Sequence, residues 1–167
     1  MVQNNMRKEE MQFEFDVYDS SDEMNEKDQL LLTTARNITG KAYAPYSNFF
    51  VGAAALLNNE ELVTGTNQEN ASYPVGICAE RVLLGTAAML HTNVPIDTIA
   101  VSYHNANIAE SNKPISPCGM CRQYLKEYED RTNQPIRLIM SGLTGKVYVL
   151  KTVSYLLPLS FGSVDLK

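Results

Sequence analysis

The 167-residue sequence predicts an α/β fold in one domain, and three observations carry that expectation. Strand-like and helix-like patterns alternate along the chain. Two of the helices open at cysteine motifs, Cys78-Ala79-Glu80-Arg81 and Pro117-Cys118-Gly119-Met120-Cys121. The last two strand patterns, Pro135–Ser141 and Lys146–Lys151, are joined only by Gly142-Leu143-Thr144-Gly145. A parallel pair needs a crossover of about a dozen residues or more, so this pair is expected to be antiparallel.

Taken in order, residues 1–11 read as a loose leader. Gln12–Tyr18 alternates Phe13, Phe15 and Val17 with Glu14 and Asp16, which predicts a short strand with one buried face. Ser20-Ser21-Asp22-Glu23 has the S-x-x-E spacing of a capping box. The helix it opens is expected to reach Ile38 or Thr39, with Leu31, Ala35 and Ile38 near one face and Gly40 as its stop. Pro45 biases Ala44 away from helix, making Tyr43–Ser47 an extended loop. Phe50–Leu57 and Glu61–Thr66 are strands joined at Asn58-Asn59 in a hairpin. Asn67–Gly76 is a polar loop punctuated by Pro74 and Gly76. Val82, Leu83, Ala87 and Leu90 mark a buried helix from Cys78 to Leu90, and Pro95 follows its end. Ile96–Tyr103 is a strand, His104–Lys113 a polar loop, and Pro117 precedes a helix from Cys118 to about Asp130. Tyr155–Leu157 forms a short helical turn.

Bulk properties narrow the function classes. A formal net charge of -5, with no Lys/Arg run longer than two, gives no charge basis for a nucleic-acid or anionic-membrane partner. Apolar runs such as Val51–Leu57 are too short to span a bilayer. Met1–Glu10 lacks the apolar centre of a secretion signal, so a cytoplasmic, reducing location is expected. There, an odd cysteine count containing a C-x-x-C suits metal binding better than a disulfide framework.

The three cysteines are the whole thiol complement. Three thiolates leave one corner of a tetrahedral zinc open, as a catalytic zinc requires for water. Both motifs fall at helix N-termini, where unpaired N–H groups favour thiolate over thiol. Zinc with three thiolates carries about one net negative charge, which weakens its power to acidify water. Arg81 and Arg122, each beside a candidate ligand, are placed to offset that charge. Glu80, two residues from Cys78, lies off that residue's helical face yet leans toward the same cavity, where a carboxylate can carry protons from water to a leaving group. The expectation is a zinc hydrolase. Alone, the C-x-x-C also fits a redox pair or half of a structural zinc knot. A closed structural site needs a fourth ligand, for which His104 is better placed than His91, and neither reading gives Glu80 a task.

These residues resemble the cytidine deaminases, specifically the short-chain branch with three cysteine ligands. C-A-E-R and S-P-C-G-M-C-R-Q carry the likeness. So do Ala42-Tyr43-Ala44-Pro45-Tyr46-Ser47-Asn48-Phe49, Asn67-Gln68-Glu69-Asn70-Ala71-Ser72-Tyr73 and Leu156-Leu157-Pro158-Leu159-Ser160-Phe161-Gly162. The resemblance implies a three-layer α/β/α fold with a five-stranded mixed sheet and a homotetramer with shared sites. It implies hydrolysis of cytidine and 2'-deoxycytidine to uridine and 2'-deoxyuridine, with one zinc per chain held by Cys78, Cys118 and Cys121. Glu80 would move the protons, and Asn67 and Glu69 would grip the ribose 3'-hydroxyl. The Ala79 N–H would meet the pyrimidine carbonyl, Phe49 would pack beside the base, and Phe161 would reach a neighbouring subunit's site. Residues 1–27 are then an N-terminal extension, with a short extra strand at 12–18, and 28–167 the catalytic domain. Met120 and Val82-Leu83 depart from the family's commoner residues without altering the chemistry. Deaminases of bases within RNA or DNA commonly use His in place of Cys78 and join the last two strands through a helix. Cys78 and the short 141–146 connection oppose that alternative.

Overall fold

Alternate residues of each central strand face opposite layers, and this period of two builds the architecture. The structure, a computed structural model, describes residues 6–166, so part of the leader expected over 1–11 lies outside the described residues. Within them the chain forms β1 (Asp16–Tyr18), α1 (Glu26–Ile38), β2 (Phe49–Leu57), β3 (Leu62–Thr66), α2 (Ala79–Leu90), β4 (Ile96–Asn105), α3 (Gly119–Thr132), β5 (Arg137–Ser141) and β6 (Val147–Leu150). On one face Ala53, Ala55, Ile99, Val101, Leu138 and Met140 pack against Leu83, Leu84 and Ala87 of α2 and Leu125 and Tyr128 of α3. On the other, Ala54, Ala100, Ile139, Val147 and Val149 meet Leu31, Leu32 and Ala35 of α1.

The sheet is mixed, in the order β1-β6-β5-β4-β2-β3, with β4–β5 its parallel pair. β5 and β6 are antiparallel, as their short connection requires. The expected five strands are corrected to six, because β1 pairs antiparallel with the edge of β6, from Asp16↔Val149 to Tyr18↔Val147. Its expected buried face is also corrected. The strand is shorter than the expected Gln12–Tyr18, and Tyr18 is its residue that packs against the α1 side, while Phe13 and Phe15 before it and Val17 within it remain about half exposed, at 48%, 45% and 50%. The Phe13 ring stacks on Tyr155 at 5.5 Å between centroids, and Phe15 lies against Tyr148 at 5.1 Å.

The S-x-x-E motif caps a short 3-10 turn, Ser21–Glu23, rather than the long helix. The Asp22 N–H donates to Ser20 Oγ at 3.2 Å, and the Asp19 N–H to Glu23 Oε2 at 3.0 Å. Met24 then leaves the turn in extended backbone and drops into the core under α1. That detour restarts the helix at Asn25, whose Oδ1 accepts the Asp28 N–H at 3.0 Å.

Topology decides where the cysteine motifs meet. β3 and β4 are both antiparallel to β2, so they run in the same direction. α2 follows β3 and α3 follows β4, so both helices start at the same end of the sheet, on the same face. Among the described residues no helix is long and apolar enough to cross a membrane.

Candidate active site

Cys78 and Cys118 are the N-cap residues of α2 and α3, with extended backbone at φ -76° and -66°. Neither side chain is used for capping, which leaves both sulfurs free to face one another across the two helix starts. Cys121 lies on the first turn of α3 and is fully buried. The Cys78 and Cys118 sulfurs are 3.7 Å apart, Cys118 and Cys121 3.4 Å, and all three lie within 4.8 Å of one another. Sulfurs 2.3 Å from one tetrahedral zinc would lie about 3.8 Å apart, so the donor set fits zinc in both chemistry and spacing. Neither histidine joins this group, and His104 instead stacks against Phe50.

The sulfurs also show why a cation belongs among them. The Cys78 thiol is drawn down to about 6, first by a hydrogen bond from Cys121 and further by Cys118 and the charge of Arg81, against burial and Glu80. Cys121 is pushed up, because its proton is held by Cys78, it is buried, and Glu80 lies near. Three thiolates this close repel strongly unless a positive ion sits between them.

Glu80 is 5% exposed, in the first turn of α2. Burial pushes its carboxyl up, while its own backbone N–H and the Cys121 thiol pull it the other way. The carboxylate therefore adjoins the sulfurs despite its offset from Cys78 on the helix. Ala79 is buried at the first helical position, where backbone N–H groups have no partner within the helix. The closeness of this helix start to the sheet depends on Gly65. A Cβ there would lie 2.5 Å from both Ala79 O and Leu83 N.

The second half of the site comes from the polar loop after β3. The Glu69 N–H donates to Tyr43 O at 2.8 Å, and the Tyr43 N–H to Asn67 O at 3.0 Å. On its other side, the same stretch bridges to Ile77, next to Cys78. The side chain of Asn67 is wedged into the start of β2: Nδ2 donates to Phe49 O at 2.9 Å and Oδ1 accepts the Val51 N–H at 2.7 Å. One N–H and one lone pair of that amide remain for a ligand. Glu69 Oε2 accepts the N–H groups of Tyr46 and Ser47 at 2.9 and 3.3 Å. The Ser47 hydroxyl, followed by these N–H groups, holds the Glu69 carboxyl below its ordinary value against slight burial. A cleft of about 380 Å³ opens here, lined by Tyr46, Ser47, Glu69, Asn70, Tyr73 and Gly76. Phe49 stacks on Tyr103, 4.9 Å between centroids and 13° from parallel.

One expectation takes a different form. Arg122 is spent on the chain rather than on sulfur. It donates to Pro117 O at 2.8 Å, Leu156 O at 3.1 Å and Ser116 Oγ at 3.0 Å, clamping the loop that carries Cys118 to the C-terminal segment. Arg81 keeps an attractive charge near Cys78 without a hydrogen bond to it among the described residues. Phe161 is 58% exposed, its carbonyl accepting from Gln123 Nε2 at 3.0 Å, and it lines no part of its own chain's cleft. Reading by motif passed over the backbone of Tyr46 and Ser47, which carries no residue-type signal, and over Gly65. A glycine inside a strand pattern is a legible sign of close approach.

Comparison with known proteins agrees with this arrangement. Residues 25–134 match the family described as the cytidine and deoxycytidylate deaminase zinc-binding region. The chain is 36% identical over 138 residues to a cytidine deaminase of Halalkalibacterium halodurans, covering 83% of this chain and 96% of that one. Its fold resembles the crystal structure of cytidine deaminase from Burkholderia pseudomallei, with a TM-score of 0.70 and 36% identity over 83% of this chain and 100% of that one. The cytidine deaminase of Mycobacterium tuberculosis gives 0.62 at 28% identity, over 80% and 95% of the two chains. Three converging thiols at paired helix starts, a buried glutamate beside them and these matches lead to one conclusion: the chain belongs to the cytidine deaminase family.

Proposed function

We propose that the protein catalyses the zinc-dependent hydrolytic deamination of cytidine and 2'-deoxycytidine to uridine and 2'-deoxyuridine, releasing ammonia in pyrimidine salvage. The observation that carries this reading is the set of three thiols within 4.8 Å, with buried Glu80 adjoining them. Cys78, Cys118 and Cys121 hold one zinc per chain. Zinc, when bound, supplies the Lewis acidity that makes hydroxide available near neutral pH. Glu80 takes the water's proton, holds it in a desolvated pocket and delivers it to N3 of the ring. After hydroxide has added at C4, the carboxylate, free again, takes the proton of the new C4 hydroxyl and passes it to the 4-amino group. The C4–N bond breaks, ammonia leaves, and the C4 carbonyl of the uracil ring forms.

The remaining residues orient the nucleoside. The Glu69 carboxylate, held by two peptide N–H groups and the Ser47 hydroxyl, keeps a lone pair to accept from the ribose 3'-hydroxyl. Asn67 supplies its spare amide valences to the same hydroxyl, the Ala79 N–H meets the pyrimidine carbonyl, and Phe49 packs beside the base. Arg81 softens the negative charge of the thiolate set.

The active form is a homotetramer in which Phe161 completes a neighbouring site. Exposed Leu159, Phe161, Val164 and Leu166 on one C-terminal stretch support contact with another copy. Residues 1–27 form an extension that adds an edge strand to the catalytic domain of 28–167, and three free thiols suit a reducing cytoplasm. The test is purified protein assayed for zinc and for turnover of cytidine, deoxycytidine, cytosine and single-stranded DNA. The expected result is about one zinc per chain and activity on the two nucleosides. Zinc-loaded protein that leaves the absorbance of cytidine unchanged overturns the reading.

A further inference from the structure

Pairing of β2 with β4 continues past the core to Phe50↔His104 and Phe49↔Asn105, which lays the loop before β2 beside the loop after β4. Asn107 stands at that junction, in the polar loop His104–Lys113. Its Nδ2 donates to Ser47 O at 2.7 Å, and its Oδ1 accepts from Asn48 Nδ2 at 3.3 Å. Among the described residues Ser47 O takes no other hydrogen bond.

Asn107 is itself held firmly. Its N–H donates to Asn105 Oδ1 at 3.0 Å, and the Ala106 N–H donates to Asn48 O at 2.9 Å. The Asn105 N–H donates to the hydroxyl of buried Ser111 at 2.9 Å. Asn48 has φ 54°, in the left-handed region that asparagine tolerates. The loop it closes turns the N–H groups of Tyr46 and Ser47 toward Glu69. An exposed carboxylate would otherwise sample several rotamers. These two N–H groups fix one oxygen, and they are only as fixed as the loop that carries them.

We propose that Asn107 is a positioning residue for the sugar end of the site. Through Ser47 and Asn48 it holds the two peptide N–H groups that orient Glu69, and so sets the affinity for the ribose 3'-hydroxyl without touching substrate. This rests on the assignment of Glu69 to that hydroxyl. The experiment compares zinc-loaded parent, Asn107→Ala, Asn107→Asp and Glu69→Gln on cytidine and on 3'-deoxycytidine, with zinc content and thermal midpoint as controls of folding. Asn107→Asp keeps the acceptor for Asn48 and loses the donor to Ser47, so it guards against an effect of truncation alone.

Both Asn107 variants are expected to raise KM for cytidine about fivefold, the equivalent of one neutral hydrogen bond. Their kcat and zinc content stay at parental levels, and KM for 3'-deoxycytidine is unmoved. Equal losses on the two substrates, or none on cytidine, overturn the proposal. If Glu69→Gln separates the two substrates and the Asn107 variants do not, only the role of Asn107 falls. If Glu69→Gln fails to separate them, the assignment of Glu69 falls and the proposal with it.

Discussion

Gln68 and Ile77 exchange both backbone hydrogen bonds, at 2.9 and 3.0 Å, although the eight residues of loop 69–76 lie between them. This bridge ties the peptide carrying Asn67 and Glu69 to the residue before Cys78. The loop carrying Asn67 and Glu69 and the thiol cluster therefore share one backbone scaffold, which sets their relative placement with little help from side chains. It also explains how a loop with little regular structure can present residues to a site that demands fixed distances.

Glu80→Gln is expected to keep zinc and lose about a hundredfold or more in kcat, because the amide preserves the shape of the side chain but cannot carry a proton. Zinc content and cytidine turnover measured on the same preparation check this. Turnover near the parent's would move the proton-carrying role to another group.

Gly65→Ala should disturb the metal end from beneath. The new methyl would lie 2.5 Å from backbone atoms of Ala79 and Leu83, so the start of α2 must shift. Overpacking of this kind costs about 1–3 kcal/mol. A lower thermal midpoint together with faster loss of zinc to a chelator is the expected pair of results. A lower midpoint with unchanged zinc loss would place the strain away from Cys78.

Asn67→Ala removes a donor to Phe49 O and an acceptor for the Val51 N–H at once. The expected cost is about 1–3 kcal/mol in urea unfolding, beyond any effect on KM. Asn67→Asp keeps the acceptor for the Val51 N–H, loses the donor, and should fall between parent and alanine variant in stability. An alanine variant as stable as the parent would show that water replaces the amide at both positions.

Acid sensitivity has an identifiable contributor in Asp28. Burial raises its carboxyl, but Arg137, bonded at 2.7 and 2.5 Å, and Asn25 outweigh that and leave it below its ordinary 3.8. A folded-state value below the unfolded one means the stabilisation is fully present above about pH 4 and is lost as pH falls through the folded value. Asp28→Asn should therefore be less stable than the parent by about 2 kcal/mol near pH 7, with the gap narrowing below about pH 4. Urea unfolding at several pH values checks this, and a gap independent of pH would assign the loss to packing.

Much of this was legible in the residues. Pro117 and the C-x-x-C spacing put Cys118 and Cys121 on one helical turn, and the strand patterns near Phe50, Ile96 and Lys146 lie within a few positions of the observed strands. Ser20 and Glu23 misled because a capping box reports a turn beginning, not how far the turn extends. The alternation of Phe13, Phe15 and Val17 misled because it reports two faces, not whether anything covers one of them.

By itself the sequence determined which groups are available: three thiols, one carboxylate two residues from the first, and an Asn/Glu pair in a loop. These are local facts, set by covalent spacing and by the periods of helix and strand. Only the tertiary structure decided which groups meet. Cys78 joins Cys118 and Cys121 because β3 and β4 both lie antiparallel to β2, a consequence of pairing between distant strands. Arg122 clamps a loop instead of serving sulfur, and Asn107 reaches Ser47, because both bond to backbone carbonyls. Every residue carries a carbonyl, so such partners have no signature in the order of side chains and become definite only when the chain is folded.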